Sequence, residues 1–288
     1  MKLTTDKNIL IVGLGLIGGS YAKALTGKGW RVTAITDSPE SLSYALAHNV
    51  VADGAAHIDP QLIGDADIVI LALYPRTLLE WLEENQRFLK PGAVVTDVTG
   101  VKCCIVYEVQ RMLRSDVEFI AAHPMAGREV SGIENSDDAI FKNANYIVTP
   151  TAANTEDAIL LCEQLGWVLG FAHVSRLSPE QHDDMIGFLS QLTHCIAISL
   201  MNCNDTPGME LYTGDSFRDL TRIARINDRM WSELFLCNRE QLLTHMDAFA
   251  QSFAELRAML ENGDAEALRE AMRRSTARRN LFDKKTDR

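Results

Sequence analysis

Asn8-Ile9-Leu10-Ile11-Val12-Gly13-Leu14-Gly15-Leu16-Ile17-Gly18 decides the fold of this chain. Four consecutive apolar residues run into a GxGxxG turn, and Tyr21–Leu25 continue as a helical pattern. A glycine motif alone carries little weight; directly between a strand and a helix it has the context that a phosphate-cradling turn requires. Gly13 permits the tight turn, Gly15 lets a pyrophosphate approach the backbone, and Gly18 lets helix and strand pack closely. The free N–H groups of the first helical turn, at Leu16 and Ile17, then face the phosphate charge.

Outward from this unit, short β-rich runs alternate with amphipathic stretches. Strands are predicted at Asn8–Val12, Arg31–Ile35, Ile68–Leu73, Ala93–Thr96, Glu118–Ala122 and Asn145–Thr149, with helices such as Ser41–His48 and Thr77–Phe88 between them. Continuous apolar strands alternating with helices imply a parallel sheet covered on both faces. The pattern changes near His173–Leu177. Ser178-Pro179-Glu180-Gln181 reads as a capped helix start, with Ser as N-cap and Gln three residues on. A long helix follows, with Ile186, Leu189, Leu192 and Ile196 expected on one side, and a break at Asn204-Asp205-Thr206-Pro207-Gly208. The expected fold class is therefore α/β: a Rossmann-type dinucleotide-binding domain over 1–175, then an all-α domain over 176–288 for substrate binding and dimerisation. The charged tail from Ala277 to Arg288 is expected to fray.

The chain has 288 residues, 47% hydrophobic and 23% charged, so it can bury a full core. Its formal net charge of −11 argues against nucleic acid or an anionic membrane as partner, though local arginines can still hold an anionic substrate. Six cysteines show no CxxC pair and no zinc-site spacing. They read as free thiols of a reducing cytoplasm, and no metal is expected. No stretch is expected to reach the length of a membrane span, which also makes the cytoplasm the expected location. The apolar excess of Ile186–Leu200 and Met230–Phe253 in so small a helical half predicts a homodimer.

The second strand leads into Thr36-Asp37-Ser38, where an acidic residue holds the adenosine ribose. Asp37 favours NAD, because its charge repels a 2′-phosphate; Thr36 and Ser38 leave NADP open. Leu73-Tyr74-Pro75 closes another strand at the same sheet edge and is a candidate cofactor contact. Asp97 through Lys102 and His123-Pro124-Met125-Ala126-Gly127-Arg128-Glu129 follow strands that end there too. A histidine at a strand terminus suits acid–base work. In the helical half, His182 lies in the first turn of the capped helix. Arg218 and Arg222, four apart, share one helix face and suit carboxylate binding.

Taken together, Gly13-Leu14-Gly15-Leu16-Ile17-Gly18-Gly19-Ser20, Asp97 with Val101-Lys102, His123-Pro124-Met125-Ala126-Gly127, Gln181-His182-Asp183 and Phe217-Arg218-Asp219-Leu220-Thr221-Arg222-Ile223-Ala224 with Met230-Trp231 resemble the prephenate/arogenate dehydrogenase family over about residues 7 to 260. The resemblance implies oxidative decarboxylation of prephenate to 4-hydroxyphenylpyruvate with hydride transfer to NAD, in tyrosine biosynthesis. It implies that His123 accepts a hydrogen bond from the ring hydroxyl, that Arg222 binds a substrate carboxylate, that His182 lines the pocket, and that Glu129 and Asp219 form a charged network near Arg222. Asp97 and Lys102 are expected on the cofactor side. The chain departs from the family pattern at Gly100, where a serine is usual; Thr99 beside it is the candidate replacement in the catalytic set. Arg128, where the family often has Thr or Ser, offers a second cation for the substrate, as does Arg218. No ACT or chorismate mutase domain is expected beside the helical half, so tyrosine feedback, where it occurs, is expected at the active site. The alternatives are arogenate as substrate, another two-domain NAD(P)-dependent hydroxyacid dehydrogenase, and a non-enzymatic NAD sensor. The absence of lysine from Gln181–Asn202 counts against the hydroxyacid type.

Overall fold

The computed structural model describes residues 3–282 and contains two compact units, Met1–Arg239 and Glu240–Arg288. The first begins with β1 (Asn8–Val12), α1 (Leu16–Thr26), β2 (Arg31–Ile35), α2 (Pro39–Ala47), β3 (Asp53–Ala55), α3 (Pro60–Asp65), β4 (Ile68–Leu71), α4 (Pro75–Asn85), β5 (Val94–Asp97), α5 (Cys103–Met112) and β6 (Glu118–Phe119). These strands form one parallel sheet in the order β3-β2-β1-β4-β5-β6. The glycine turn follows β1 at the centre, where the strand order reverses and ligands of such sheets bind.

Alternation along the central strands builds two apolar layers. Ile9 and Ile11 of β1, with Ile68 and Ile70 of β4, pack against Tyr21 and Leu25 of α1. Leu10, Val12, Val69 and Leu71 face the other way, onto Leu78 and Leu82 of α4. Burying both faces explains why these strands are apolar without interruption. Each such side chain contributes about 1.5–3 kcal/mol when fully buried.

The expected strand Glu118–Ala122 is interrupted at Ile120. There the chain leaves the first sheet and enters β7 (Ala121–Met125), which pairs antiparallel with β8 (Asn145–Thr149). Residues 145–149 therefore lie outside the parallel sheet in which the alternation predicted them. α6 (Glu156–Leu169) leads to β9 (His173–Arg176), which runs parallel to β8. Neither β9, at the expected boundary, nor β3 was predicted; both are short, β9 is mostly exposed and β3 reads Asp-Gly-Ala, so neither has an apolar signature.

The capped helix is present. In α7 (Pro179–Ile186), Ser178 Oγ accepts from Gln181 N at 3.2 Å, and Gln181 Oε1 accepts from Ser178 N at 3.1 Å. A π-helical segment, Gly187–Leu192, then joins α7 to α8 (Thr193–Asn202). Its wider turn changes the helical phase. Ile186 and Leu192 are buried while Leu189 is 45% exposed, which corrects the single apolar face predicted across all four residues. The run Pro179–Asn202 is also, by length and composition, apolar enough to cross a membrane, contrary to the sequence expectation. Its first turns nevertheless carry buried, hydrogen-bonded His182 and Asp183. After the expected break come α9 (Asp215–Thr221), a 3-10 turn at Arg222–Ala224, and α10 (Asp228–Cys237).

The second unit consists of α11 (Arg239–Glu261) and α12 (Ala265–Arg279), followed by a short turn at Asn280–Phe282. Leu243, Phe249, Phe253 and Leu260 of α11 are exposed. Of the tail expected to fray, Ala277–Arg279 close α12, and residues 283–288 lie outside the described residues.

Candidate active site

The glycine turn has the shape the motif predicts. Gly13 adopts φ +96°, and a Cβ there would lie 2.4 Å from the Ala72 carbonyl oxygen. A Cβ on Gly18 would lie 2.0 Å from the Gly13 oxygen, so helix and turn meet with no room for a side chain. Gly15 is different: nothing lies within 4 Å of its Cβ position. Gly15 is also the N-cap of α1, with no side chain capping it and no acidic residue in the first turn. The amides beyond Gly15, including those of Leu16 and Ile17, thus face open space suited to an anion. Leu73 touches the same turn, its Cδ2 3.2 Å from the Gly13 Cβ position, while Tyr74 and Pro75 start α4. At the end of β2, Thr36 is buried and Asp37 exposed, clear of the core and free to meet a ribose.

Asp97 and Lys102 were expected at the cofactor, but their side chains are wholly enclosed. Lys102 Nζ donates to Asp97 Oδ2 and to the Ala122 carbonyl, both at 2.6 Å, and neither side chain meets solvent. Burial of an ion pair is tolerated only when both ends are further bonded. Here Asp97 Oδ1 also accepts from Ala122 N at 3.0 Å, and Oδ2 from Thr99 N at 2.9 Å. The Thr99 hydroxyl is likewise directed at Asp97 and the Val101 carbonyl, not at His123. These three residues position the loop from Asp97 to Lys102 and the start of β7.

On that scaffold rests a relay. His123 Nδ1 lies 2.9 Å from His182 Nε2, and His182 Nδ1 lies 2.7 Å from Asp183 Oδ1. Asp183 also accepts from the backbone N–H of Lys102 and of Cys103, each at 2.8 Å. Burial alone would raise the Asp183 pKa, but the bonds from His182 and these amides outweigh it and hold the carboxyl below its ordinary value. Desolvation pushes His182 down, against the upward pull of Asp183. His123 is pushed well below the ordinary histidine value, by desolvation first and then by His182 and Lys102.

An ionised carboxylate beside two neutral rings fixes the protons. Asp183 only accepts, so His182 carries its hydrogen on Nδ1. Its Nε2 must then accept from His123 Nδ1–H, which leaves His123 Nε2 as a bare lone pair. The Cβ position of Gly100 lies 3.7 Å from that nitrogen and 3.7 Å from Leu234 Cδ1. A side chain at Gly100 would thus lie in van der Waals contact with the base, and glycine keeps that side of it clear.

The arginines are divided. Arg222 is exposed and forms an ion pair with Glu129, as the resemblance implied. Asp219 forms no ion pair among the described residues. Arg218 turns to Asp215 on its own helix at 2.9 Å, and Arg128 pairs with Asp137 at 2.9 Å. Residues that the sequence did not single out complete the site. His194 stacks on Trp231 with ring centroids 3.7 Å apart, and Glu129 and Arg222 act electrostatically on its ring. Asn238 donates to the Asp183 carbonyl and to Gln191 Oε1, both at 2.8 Å. Asp183 itself was read only as part of a motif, because a carboxylate beside a histidine in sequence has no signature of what it will bond.

Residues 21–167 match the family described as prephenate dehydrogenase, nucleotide-binding domain, and residues 178–274 match prephenate dehydrogenase, dimerization domain. The chain is 32% identical to a prephenate dehydrogenase of Bacillus subtilis over 90% of its own length and 72% of that protein's. It is 28% identical to a cyclohexadienyl dehydrogenase of Zymomonas mobilis over 95% of both. A crystal structure of prephenate dehydrogenase from A. aeolicus, in complex with hydroxyphenyl propionate and NAD+, superposes with a TM-score of 0.89 at 31% identity, covering 98% of this chain and 100% of that one. With a dinucleotide turn, a histidine relay and an exposed arginine on one scaffold, and with matches spanning both halves, the chain belongs to the prephenate dehydrogenase family.

Proposed function

We propose that this chain catalyses the NAD-dependent oxidative decarboxylation of prephenate to 4-hydroxyphenylpyruvate. The observation that carries this reading is the bare Nε2 of His123, held by His182 and Asp183 beside Gly100, which puts no side chain against it. The ring hydroxyl of the substrate hydrogen-bonds to that nitrogen. As hydride leaves the ring carbon, His123 takes the hydroxyl proton, and the positive charge that forms is shared with His182 and balanced by Asp183. Loss of the ring carboxylate as CO₂ makes the ring aromatic, and the ring oxygen takes the proton back from His123 to give the product hydroxyl. NAD, when bound, supplies the hydride acceptor; Gly15 leaves room for its pyrophosphate and Asp37 stands where its ribose hydroxyls would lie. Arg222 exchanges Glu129 for a substrate carboxylate.

A homodimer fits this reading. The match to a dimerization domain and the exposed Phe188 and Leu189, with Phe249 and Phe253 of α11, support it. The test of function is NADH absorbance on mixing the protein with NAD and prephenate, with parallel arms using arogenate and NADP. Turnover with prephenate and NAD is expected. Turnover with arogenate alone would move the substrate assignment, and no turnover with either would refute the reading.

A further inference from the structure

Two buried amides lie behind the relay. Gln191 belongs to the π-helical segment, and Asn238 caps the end of α10. Asn238 Nδ2 donates to the Asp183 carbonyl and to Gln191 Oε1, each at 2.8 Å, and Gln191 Nε2 donates to the Leu234 carbonyl at 2.9 Å. The two backbone carbonyls at the ends can only accept, so they fix the orientation of both amides between them. An unbroken run of hydrogen bonds thus joins the backbone of Asp183 to the backbone of Leu234.

The π-helical segment is what brings Gln191 into this run. In a continuous α-helix of about 3.6 residues per turn, position 191 would be turned roughly 80° away from position 183. The wider turns of Gly187–Leu192 take up that excess, and Gln191 and Asp183 meet the same Asn238 side chain. Such turns are rare and are frequently found at functional sites.

We propose that Gln191 and Asn238 are positioning residues for the proton relay: they tie the backbone of Asp183 to the end of α10 that carries Leu234, and so set where His123 stands against its substrate. Asp183 is held from two sides. Its carboxylate accepts from the amides of Lys102 and Cys103, and its carbonyl accepts from Asn238. At the other end of the run, Leu234 Cδ1 lies 3.7 Å from the Gly100 Cβ position, the same distance as His123 Nε2. The carboxylate behind the relay and the apolar wall beside its base are therefore spaced by one set of bonds. Removing either amide opens it. The helices themselves do not depend on these side chains. The Asp183 carbonyl also accepts from Gly187 N, and the Leu234 carbonyl from Asn238 N at 3.2 Å, so both stay satisfied when the amides are replaced.

The inference rests on the dehydrogenase reading for its rate measurement, so a second readout independent of activity accompanies it. Gln191→Met keeps the length of the side chain and removes both of its bonds, Asn238→Leu keeps the branching, and a third variant carries both changes. Turnover with NAD and prephenate is measured well below the melting temperature of each protein. Ring N–H protons are followed by NMR on protein carrying heavy nitrogen in its histidines. In the wild type, slowly exchanging ring signals are expected from Nδ1 of His123 and of His182. Each single variant should lower kcat on the order of tenfold, leave KM for NAD unchanged, and speed the exchange of those signals. The double variant should be no slower than the slower single one, because a run already opened cannot be opened again. A lower melting temperature with kcat and ring signals unchanged would mean a purely structural role and overturn the proposal, as would losses that multiply in the double variant. Ring signals that respond as expected in a wild type inactive on prephenate would count against the dehydrogenase reading and support the positioning.

Discussion

Replacing Asp183 by Asn tests the relay at the point where its charge resides. The substitution keeps the shape of the side chain and removes the anion that balances a proton on His123. The path from Asp183 to the His123 ring consists of hydrogen bonds of 2.7 Å and 2.9 Å with one imidazole between them. Over a separation of roughly 7–8 Å, at an effective dielectric of about 20, the lost attraction is about 2 kcal/mol. That corresponds to roughly 30-fold in turnover, since each 1.36 kcal/mol is tenfold. The fold also suffers. Both carboxylate oxygens accept backbone N–H groups, so an amide NH₂ must face either Lys102 N or Cys103 N, and a buried donor left unpaired costs about 1–3 kcal/mol.

The assay is kcat at saturating NAD and prephenate, with NAD affinity measured by calorimetry and expected unchanged. The acid limb of the rate profile supplies a second readout. His123 must be neutral to accept a proton, and its pKa lies well below 6.5 in the wild type, so activity should persist as the pH falls through 6.5. Asp183 raises the proton affinity of His182, so its removal should move that limb further toward acid. A kcat within threefold of wild type, or a limb that moves toward neutral pH, would refute the relay.

Three further outcomes are expected. Gly100→Leu fills the gap between His123 Nε2 and Leu234, and should lower kcat/KM by on the order of 10²-fold without a change in melting temperature; a loss confined to stability would show that the substrate hydroxyl does not enter there. Lys102→Met leaves Asp97 charged and enclosed, and should cost about 3–5 kcal/mol in urea unfolding; a loss below about 1 kcal/mol would mean that the pair is not what holds the loop. Arg222→Lys loses two-pronged carboxylate binding, so KM for prephenate should rise about tenfold, and any inhibition by tyrosine should weaken in parallel; undiminished inhibition would point to a separate effector site.

The nucleotide half was legible because its signals are local and redundant. An apolar run covered on both faces, followed by glycines at fixed spacing, has few other meanings, and β1, β2 and β8 have the predicted ends. What failed to show was pairing. Glu118–Ala122 is one apolar run, yet the chain changes sheets at Ile120, and β8 joins an antiparallel partner through His123 opposite Ile147. Strand propensity reports the conformation of a segment; the partner is chosen by contacts between residues far apart in sequence.

The site was legible to the same depth. The Ser178–Gln181 capping box fixes where α7 begins, and that register places His182 and Asp183 on the buried side of its first turns. The cap could be read from four residues, but the consequence could not, since the groups that face Asp183 come from the loop at Lys102 and Cys103. Asp97 and Lys102 show the converse. Their spacing next to a strand end suggested residues turned toward a ligand, and instead they bond each other and so hold in place the amides that grip Asp183. A buried ion pair contributes little net stability. What it adds here is position: it joins the end of β5 to the start of β7 through the Ala122 amide and carbonyl, one residue before His123. The carboxylate of Asp183 and the ring of His123 are thus both anchored to one short loop, and the proton order along the relay follows from that shared anchor.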